Sequence, residues 1–430
     1  MSGSGRVFEV PAVSEDALSR LLQEPIDWRY KGFPPADGVT VGTVAQGGWN
    51  LLRGDLPLPA LVLKESALAH NIALMASWCL EHAVLHAPHG KTTIAPQLFK
   101  RQLEAGAWAI TAATASHARI YRAFGLQRIL LANELVEPVA LRWLAEELAI
   151  EPELDFYCLV DSIAAVEAMA EGLRGSERPV HVLLEVGFEG GRTGCRDVAE
   201  ALDVAAAIGR APELELVGTE GYEGIIGAER NPSSLAAVDS FLERLRKTTI
   251  ELDRAEVFAG CERVIVSAGG SAYFDRVADG LGGDWQLAKP VDVVIRSGGY
   301  ITHDVGLYER TSPLVRELRP AFEAWGVVLS RPERDLALLG LGKRDVSHDV
   351  DLPLPQLAHD RNGLREVAGL TVTALNDQHA YVRIPAEETL EVGDMVGCGI
   401  SHPCTAFDKW RLIPVVDDHY TVVDAIATFF

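Results

Sequence analysis

Cysteine is scarce and scattered, with six residues in 430: Cys79, Cys158, Cys195, Cys261, Cys398 and Cys404. They show no framework spacing, which excludes a disulfide scaffold. No apolar run follows Met1-Ser2-Gly3-Ser4, and no stretch reaches the roughly 20 residues that a membrane span needs. A reducing, cytoplasmic location is the expectation. Positive charge is also in short supply, with Lys+Arg at 39 against Asp+Glu at 61, so 39 − 61 = −22. Such a field repels phosphate backbones and anionic membranes, which removes nucleic acid and membranes as expected partners. A local basic site for one small anionic cofactor is compatible with it. Low-complexity segments and fixed-period repeats are absent as well.

What is there is an ordinary globular balance, 48% apolar and 23% charged, in a chain long enough for a large barrel plus a second domain. Residues 1–55 are mixed, with Gly32, Pro34, Pro35, Gly47 and Gly48, and read as an N-terminal extension wrapping a larger body. Pro59–Lys64 is a short apolar strand. Ser66 then stands as a cap for a helix with Leu68, Ile72, Met75 and Cys79 on one face. Eight further apolar runs follow: Val84–Ala87, Trp108–Ala112, Arg128–Ala132, Leu154–Val160, Val180–Val186, Leu214–Gly218, Arg263–Ser267 and Val291–Arg296. Helix-period segments such as Leu141–Ile150 and Val198–Ile208 separate nearly all of them. The pattern predicts an α/β fold, a (β/α)8 TIM barrel over residues 56–313, with a doubly wound open sheet as its rival. From 314 to 430 valine-rich runs return without long helices: Trp325–Ser330, Ala337–Leu341, Gly369–Leu375, Tyr381–Ile384, Asp394–Ile400 and His419–Ala425. This predicts a C-terminal β domain.

In such a barrel, chemistry gathers past the C-terminal ends of the strands. The first run ends in His86-Ala87-Pro88-His89-Gly90-Lys91-Thr92, which puts Lys91 at the mouth. A lysine amine attacks aldehydes when its neighbours lower its pKa; on this heptapeptide alone a surface lysine is the competing reading. The seventh and eighth runs end in Ala268-Gly269-Gly270-Ser271 and Ser297-Gly298-Gly299-Tyr300. Backbone N–H groups at such glycines, with the hydroxyls of Ser271 and Tyr300, suit a phosphate. Turn-making glycine is the alternative. Between them Arg192, in Glu189-Gly190-Gly191-Arg192-Thr193, offers a cation, and Tyr222, in Gly221-Tyr222-Glu223-Gly224, a ring. A salt-bridged arginine and a core tyrosine are equally compatible with the spacing. In the β domain, Ser401-His402-Pro403-Cys404 sets a histidine and a thiol two residues apart. On an extended strand they would face one side, which suits zinc in an open site with water and substrate completing the shell. A satisfied histidine beside a buried free cysteine is the alternative.

Taken in order, these segments resemble the fold-type III pyridoxal-phosphate enzymes of the D-serine dehydratase and D-threonine aldolase group. The likeness runs from about Leu56 to the C-terminus through Leu58-Pro59-Ala60-Leu61-Val62, Asn71-Ile72, Pro88-His89-Gly90-Lys91-Thr92, Leu131-Ala132-Asn133-Glu134, Glu220-Gly221-Tyr222-Glu223-Gly224, Ser267-Ala268-Gly269-Gly270 and Ser401-His402-Pro403-Cys404. The resemblance implies an alanine-racemase-like barrel, a homodimer, and pyridoxal 5'-phosphate held by Lys91 as a Schiff base. It places His89, Arg192, Tyr222, Gly269, Gly270, Ser271 and Tyr300 around the cofactor. His402 and Cys404 would bind zinc, with manganese as the alternative metal; the aldolases tend to have Asp at the second position. The implied activity is a lyase that converts a D-3-hydroxy amino acid to a 2-oxo acid and ammonia. Aldol cleavage, a bulkier 2-amino-3-hydroxy acid, and cofactor binding without catalysis are the alternatives. Two departures stand out: Lys91-Thr92-Thr93 where the family often reads Lys-Thr-His, and Gln378-His379 where a Glu-His pair often precedes the metal motif.

Overall fold

The computed structural model describes residues 12–227 and 229–430. Residues 1–11 of the expected N-terminal extension lie outside the described residues. The described chain divides into two compact units: residues 12–14, 76–91 and 99–298 form one, and residues 15–75, 92–98 and 299–430 the other.

The first unit is built on eight parallel strands: β2 (Leu85–His86), β3 (Ile110–Ala112), β4 (Arg128–Glu134), β5 (Asp155–Val160), β6 (Val180–Glu185), β7 (Leu214–Glu220), β8 (Val264–Ala268) and β9 (Val291–Ile295); the earlier strand β1 (Ala60–Lys64) is not among them. Each of the eight overlaps one of the eight predicted runs. The order is β2-β9-β8-β7-β6-β5-β4-β3. The chain past β2 then reaches β3: Trp108 N–H donates to His86 O at 2.7 Å, Thr111 N–H donates to Pro88 O at 2.9 Å, and His89 bridges Thr111. The sheet therefore curls until its two ends meet, and the unit is a barrel of eight parallel strands. Strands covered by helices read as nearly unbroken apolar runs, and Val264–Ala268 is buried throughout. Four of the helices between strands start on side-chain caps, where Thr114, Ser162, Asp197 and Asn231 accept from the N–H groups of His117, Ala165, Glu200 and Ser234. Each satisfies an N–H that the first turn would leave open.

The second unit holds a mixed sheet in the order β13-β12-β16-β10-β1-β17-β18, with β11, β14 and β15 branching from β10. Its later strands are β10 (Phe322–Glu333), β11 (Leu336–Leu339), β12 (Leu354–Asp360), β13 (Gly363–Glu366), β14 (Thr371–Leu375), β15 (Ala380–Arg383), β16 (Met395–Gly399), β17 (Leu412–Val416) and β18 (Val422–Ala427). β1 lies inside the span 56–313 yet pairs here, antiparallel to β10 and parallel to β17. The segment before it belongs to this unit too: Leu51 N–H donates to Tyr420 O, and the Lys31 ammonium lies 3.9 Å over the Trp410 ring.

Two local expectations differ. The helix after β1 spans Glu65–Glu81, so Ser66 sits inside its first turn, and its hydroxyl lies 2.6 Å from Asp418 Oδ1 instead of capping the backbone. Leu68, Ile72, Met75 and Cys79 are buried as predicted. Strand β17 carries Pro414, which cannot donate to a ladder and hides the strand from a reading by propensity.

Candidate functional site

At the C-terminal ends of the barrel strands, parallel register sets acidic side chains next to one another. Glu185 of β6 pairs in register with Glu220 of β7, and Glu220 with Ser267 of β8. Glu185 and Glu220 are 4% and 1% exposed, so their mutual repulsion is little screened. Arg296, directly after β9 and itself buried, relieves it. Its guanidinium pairs with Glu220 and donates to Ser267 Oγ at 2.6 Å and to Gly221 O at 3.3 Å. Thr193 donates to Glu185 Oε1 at 2.8 Å. Burial, then Glu185, push the Glu134 carboxyl at the end of β4 up to about 9, so near neutrality a proton is held within this pair.

Lys91 sits in a short 3-10 turn, Gly90–Thr92, just past β2. A Cβ at Gly90 would collide with the Tyr121 hydroxyl, so only glycine lets the turn pass this close to the barrel wall. Lys91 itself is exposed. Its charge reaches His89 and His117: burial first, then Lys91, hold both imidazoles below their usual range and neutral. The Nδ1 atoms of both rings are buried and have no hydrogen-bond partner. Such an atom costs about 1–3 kcal/mol unless something arriving at the site meets it.

The glycines after β8 behave differently from the prediction. Gly269 has φ +89°, which an L side chain rarely adopts, and a Cβ at Gly270 would stand 3.0 Å from the Tyr222 ring. Their N–H groups, expected to face a phosphate, both donate to Glu223, at 3.0 Å and 2.8 Å. Glu223 is fully buried and clamps the loop as a carboxylate bridging two amides. The hydroxyls of Ser271 and Ser297 face each other at 3.3 Å beside it. The Arg192 guanidinium lies 4.6 Å over the Tyr222 ring, on a loop tied back to β6 by Gly187 N–H to Cys195 O. The predicted residues Lys91, His89, Arg192, Tyr222, Gly269, Gly270 and Ser271 thus all stand at strand ends of the first unit. Arg296, Glu223, Glu220, Glu185 and His117 were not predicted. Arg296 lay within the eighth run, immediately before the quoted Ser297-Gly298-Gly299, and Glu223 lay inside a quoted motif.

Tyr300, His402 and Cys404 belong to the second unit. Tyr300 is buried in the turn Gly299–Ile301, where a Cβ at Gly299 would strike the Tyr308 ring. His402 follows β16 on a turn with φ +53°, a strained conformation for a residue with a side chain. The expected extended i, i+2 pairing is therefore a turn, with Cys404 opening a short helix. The strain is held by Asp304, whose Oδ2 accepts His402 N–H at 2.8 Å and whose Oδ1 accepts Gly306 and Tyr308 N–H at 3.0 Å and 2.7 Å. The imidazole and the thiol still share one turn, two residues apart. The hydrogen bond with Cys404, then the Cys404 charge and Asp349, raise His402 to about 9 against the effect of burial. Asp349 Oδ2 lies 2.6 Å from His402 Nδ1, and Asp349 Oδ1 accepts from Thr405 Oγ1 at 2.8 Å. Burial alone would raise Asp349, but these two hydrogen bonds bring it below its usual value. The hydroxyl of Thr92 is 3.5 Å from Cys404 Sγ. His379 is exposed, and Gln378 donates to Asp345 Oδ2 at 2.7 Å. Among the described residues no three His, Cys, Asp or Glu side chains converge as a metal cage, and no helix is long and apolar enough to cross a membrane. A two-donor corner open to further ligands is what His402 and Cys404 offer.

Comparison with known proteins covers both units. Residues 63–263 match the family described as "Alanine racemase, N-terminal domain", and residues 321–416 match the "Putative serine dehydratase domain". A D-threonine aldolase from Arthrobacter sp is 28% identical over 384 residues, which are 89% of this chain and 94% of that protein. A D-threo-3-hydroxyaspartate dehydratase from Delftia sp. (strain HT23) is 28% identical over 215 residues, 50% of this chain and 55% of that protein. Among solved structures, the D-threonine aldolase from Filomicrobium marinum superposes with a TM-score of 0.73 at 24% identity, over 89% of this chain and 96% of that one. That last likeness speaks to the fold.

Proposed function

Because this chain belongs to the fold-type III pyridoxal-phosphate enzymes of the D-serine dehydratase and D-threonine aldolase group, and is a lyase, we propose that it converts a D-3-hydroxy amino acid, such as D-serine or D-threonine, to a 2-oxo acid and ammonia. The observation that carries the reading is that one turn after β16 sets His402 and Cys404 two residues apart, with the His402 ring held through its Nδ1 by Asp349. An imidazole with a thiol is a borderline-soft donor pair, which favours zinc over the hard cations that carboxylates select.

The donor set at the barrel strand ends fits the cofactor. It offers an exposed primary amine at Lys91, a buried unpartnered nitrogen at His89, and glycines at 269 and 270 where a side chain would close the space. Lys91 would hold the cofactor covalently, with Ser271 and Tyr300 toward its phosphate and Arg192 and Tyr222 toward its ring. When bound, the cofactor supplies an electron sink that makes the substrate Cα proton acidic. Lys91 Nζ would also be the base that removes that proton. His402 and Cys404 would hold a zinc that supplies Lewis acidity to the departing hydroxyl. Glu223 keeps the loop at 269 and 270 fixed, and Arg296 keeps the carboxylates at the ends of β6 and β7 from repelling one another. The assembly is read as a homodimer, as the family resemblance implies.

The Arthrobacter relative, aligned over 94% of its length, favours a second reading in which the substrate hydroxyl is deprotonated and the Cα–Cβ bond breaks. Incubation with D-threonine, with and without added zinc, separates the two. Release of 2-oxobutyrate and ammonia supports dehydration; glycine and acetaldehyde establish the aldol cleavage instead. No product from a panel of D-3-hydroxy amino acids leaves cofactor binding without catalysis.

A further inference from the structure

We propose that Asp349 is the positioning residue that makes His402 a metal ligand, by fixing which ring nitrogen carries the proton. The inference rests on the reading of His402 and Cys404 as metal ligands. Asp349 Oδ2 lies 2.6 Å from His402 Nδ1. An ionised carboxylate can only accept, so Nδ1 keeps its hydrogen whether the ring is charged or neutral, and Nε2 is the nitrogen left to give up its proton and present a lone pair. A metal needs that lone pair, and imidazole ligands commonly donate their other N–H to a carboxylate for this reason. The carboxylate is itself oriented, since Thr405 Oγ1 donates to its second oxygen at 2.8 Å. Asp349 therefore ties residues 402 and 405, which flank Cys404 in the chain, to one carboxylate. Asp304 acts on the backbone of the same residue, holding the His402 N–H at 2.8 Å in its left-handed turn. One carboxylate fixes the backbone and the other fixes the ring. Nothing in the sequence marks Asp349, which lies 53 residues before His402.

The test uses the full-length enzyme with its cofactor bound and the variants D349A, D349N and T405A. The side chain of Asp349 is 43% exposed, so truncation leaves no buried void. Zinc affinity is read by competition with a chromogenic chelator, and thiolate coordination by the charge-transfer absorbance of the cobalt-substituted protein. D349A should weaken zinc binding by about 10–100-fold, the usual cost of losing such a partner. D349N, whose amide oxygen can still accept from Nδ1, should lose less, and T405A less again. The cobalt–thiolate band should persist at saturating metal, since Cys404 is intact. Wild-type zinc uptake together with unchanged affinity in D349A overturns this proposal alone. A wild-type protein that takes up neither zinc nor cobalt overturns it together with the metal reading.

Discussion

Glu185 and Glu220 lie on adjacent parallel strands in register, both buried, and Arg296 after β9 and Thr193 on the loop after β6 compensate them from within the same barrel. His402 and Cys404 lie on a turn, half-buried, and their arrangement depends on two carboxylates, Asp304 and Asp349, from two separate loops. The contrast shows two ways of placing chemistry. In the barrel, ladder register sets positions to within a fraction of a residue, so a side chain can be lost while the frame persists. On the turn, hydrogen bonds to a strained backbone do the placing, so small changes move the donors. Substitutions at the barrel end should therefore change the chemistry, and those on the turn should change occupancy by the metal.

The largest expected effect is at Lys91. Replacement K91A removes the only amine proposed to hold the cofactor and to take the Cα proton. Turnover should fall by at least about 10²-fold, the lower end of what a positioned base contributes. The visible absorbance of covalently held cofactor should vanish, while zinc uptake at His402 and Cys404 stays at its wild-type level. Retention of that absorbance would remove the assignment of Lys91.

A second expectation concerns acid. His86, fully buried in β2, keeps its Nε2 at 2.9 Å from Ser297 O, and burial depresses its imidazole to about 4. A depressed histidine is neutral in the folded state, while the unfolded chain takes up a proton near 6.5. Stability is thus unaffected by this group above about pH 6.5 and falls as the pH drops toward 4, where the loss is complete. Its size is about 3 kcal/mol at most. Urea unfolding of the barrel across this range should show the loss, and H86N should flatten it. An unchanged slope in H86N would assign the acid sensitivity elsewhere.

The strands of the barrel were readable because burial on both faces forces unbroken apolar runs, and register then carries their ends to one side. Lys91, Gly269 and Gly270 were readable as strand-end residues for the same reason. Glu223 was quoted in a motif, but its task was not, because a carboxylate accepting two amides 46 and 47 residues away leaves no local signal. Strands β12 and β17 escaped because Pro355 and Pro414 interrupt their patterns. The turn at His402 was read as extended, since φ +53° at a histidine is a tertiary outcome held by Asp304. Non-local hydrogen bonds built the parts that composition and period could not express.

The most discriminating substitution is E223Q, because it nearly keeps volume and burial while it changes the hydrogen bonding and the charge at one buried point. Both carboxylate oxygens of Glu223 accept from the amides of Gly269 and Gly270. A glutamine oxygen can replace one acceptor, but its NH2 then meets the other amide as donor against donor. One buried N–H is left open, at a cost of about 1–3 kcal/mol. The loop after β8 should relax toward conformations that satisfy it, and φ +89° at Gly269 makes such rearrangement easy. Cofactor affinity should fall and the thermal midpoint drop, whereas zinc affinity should stay at the wild-type value because the carboxylates that place His402 are untouched. If E223Q weakens zinc as much as it weakens the cofactor, the two modes of placement are not independent and the contrast fails.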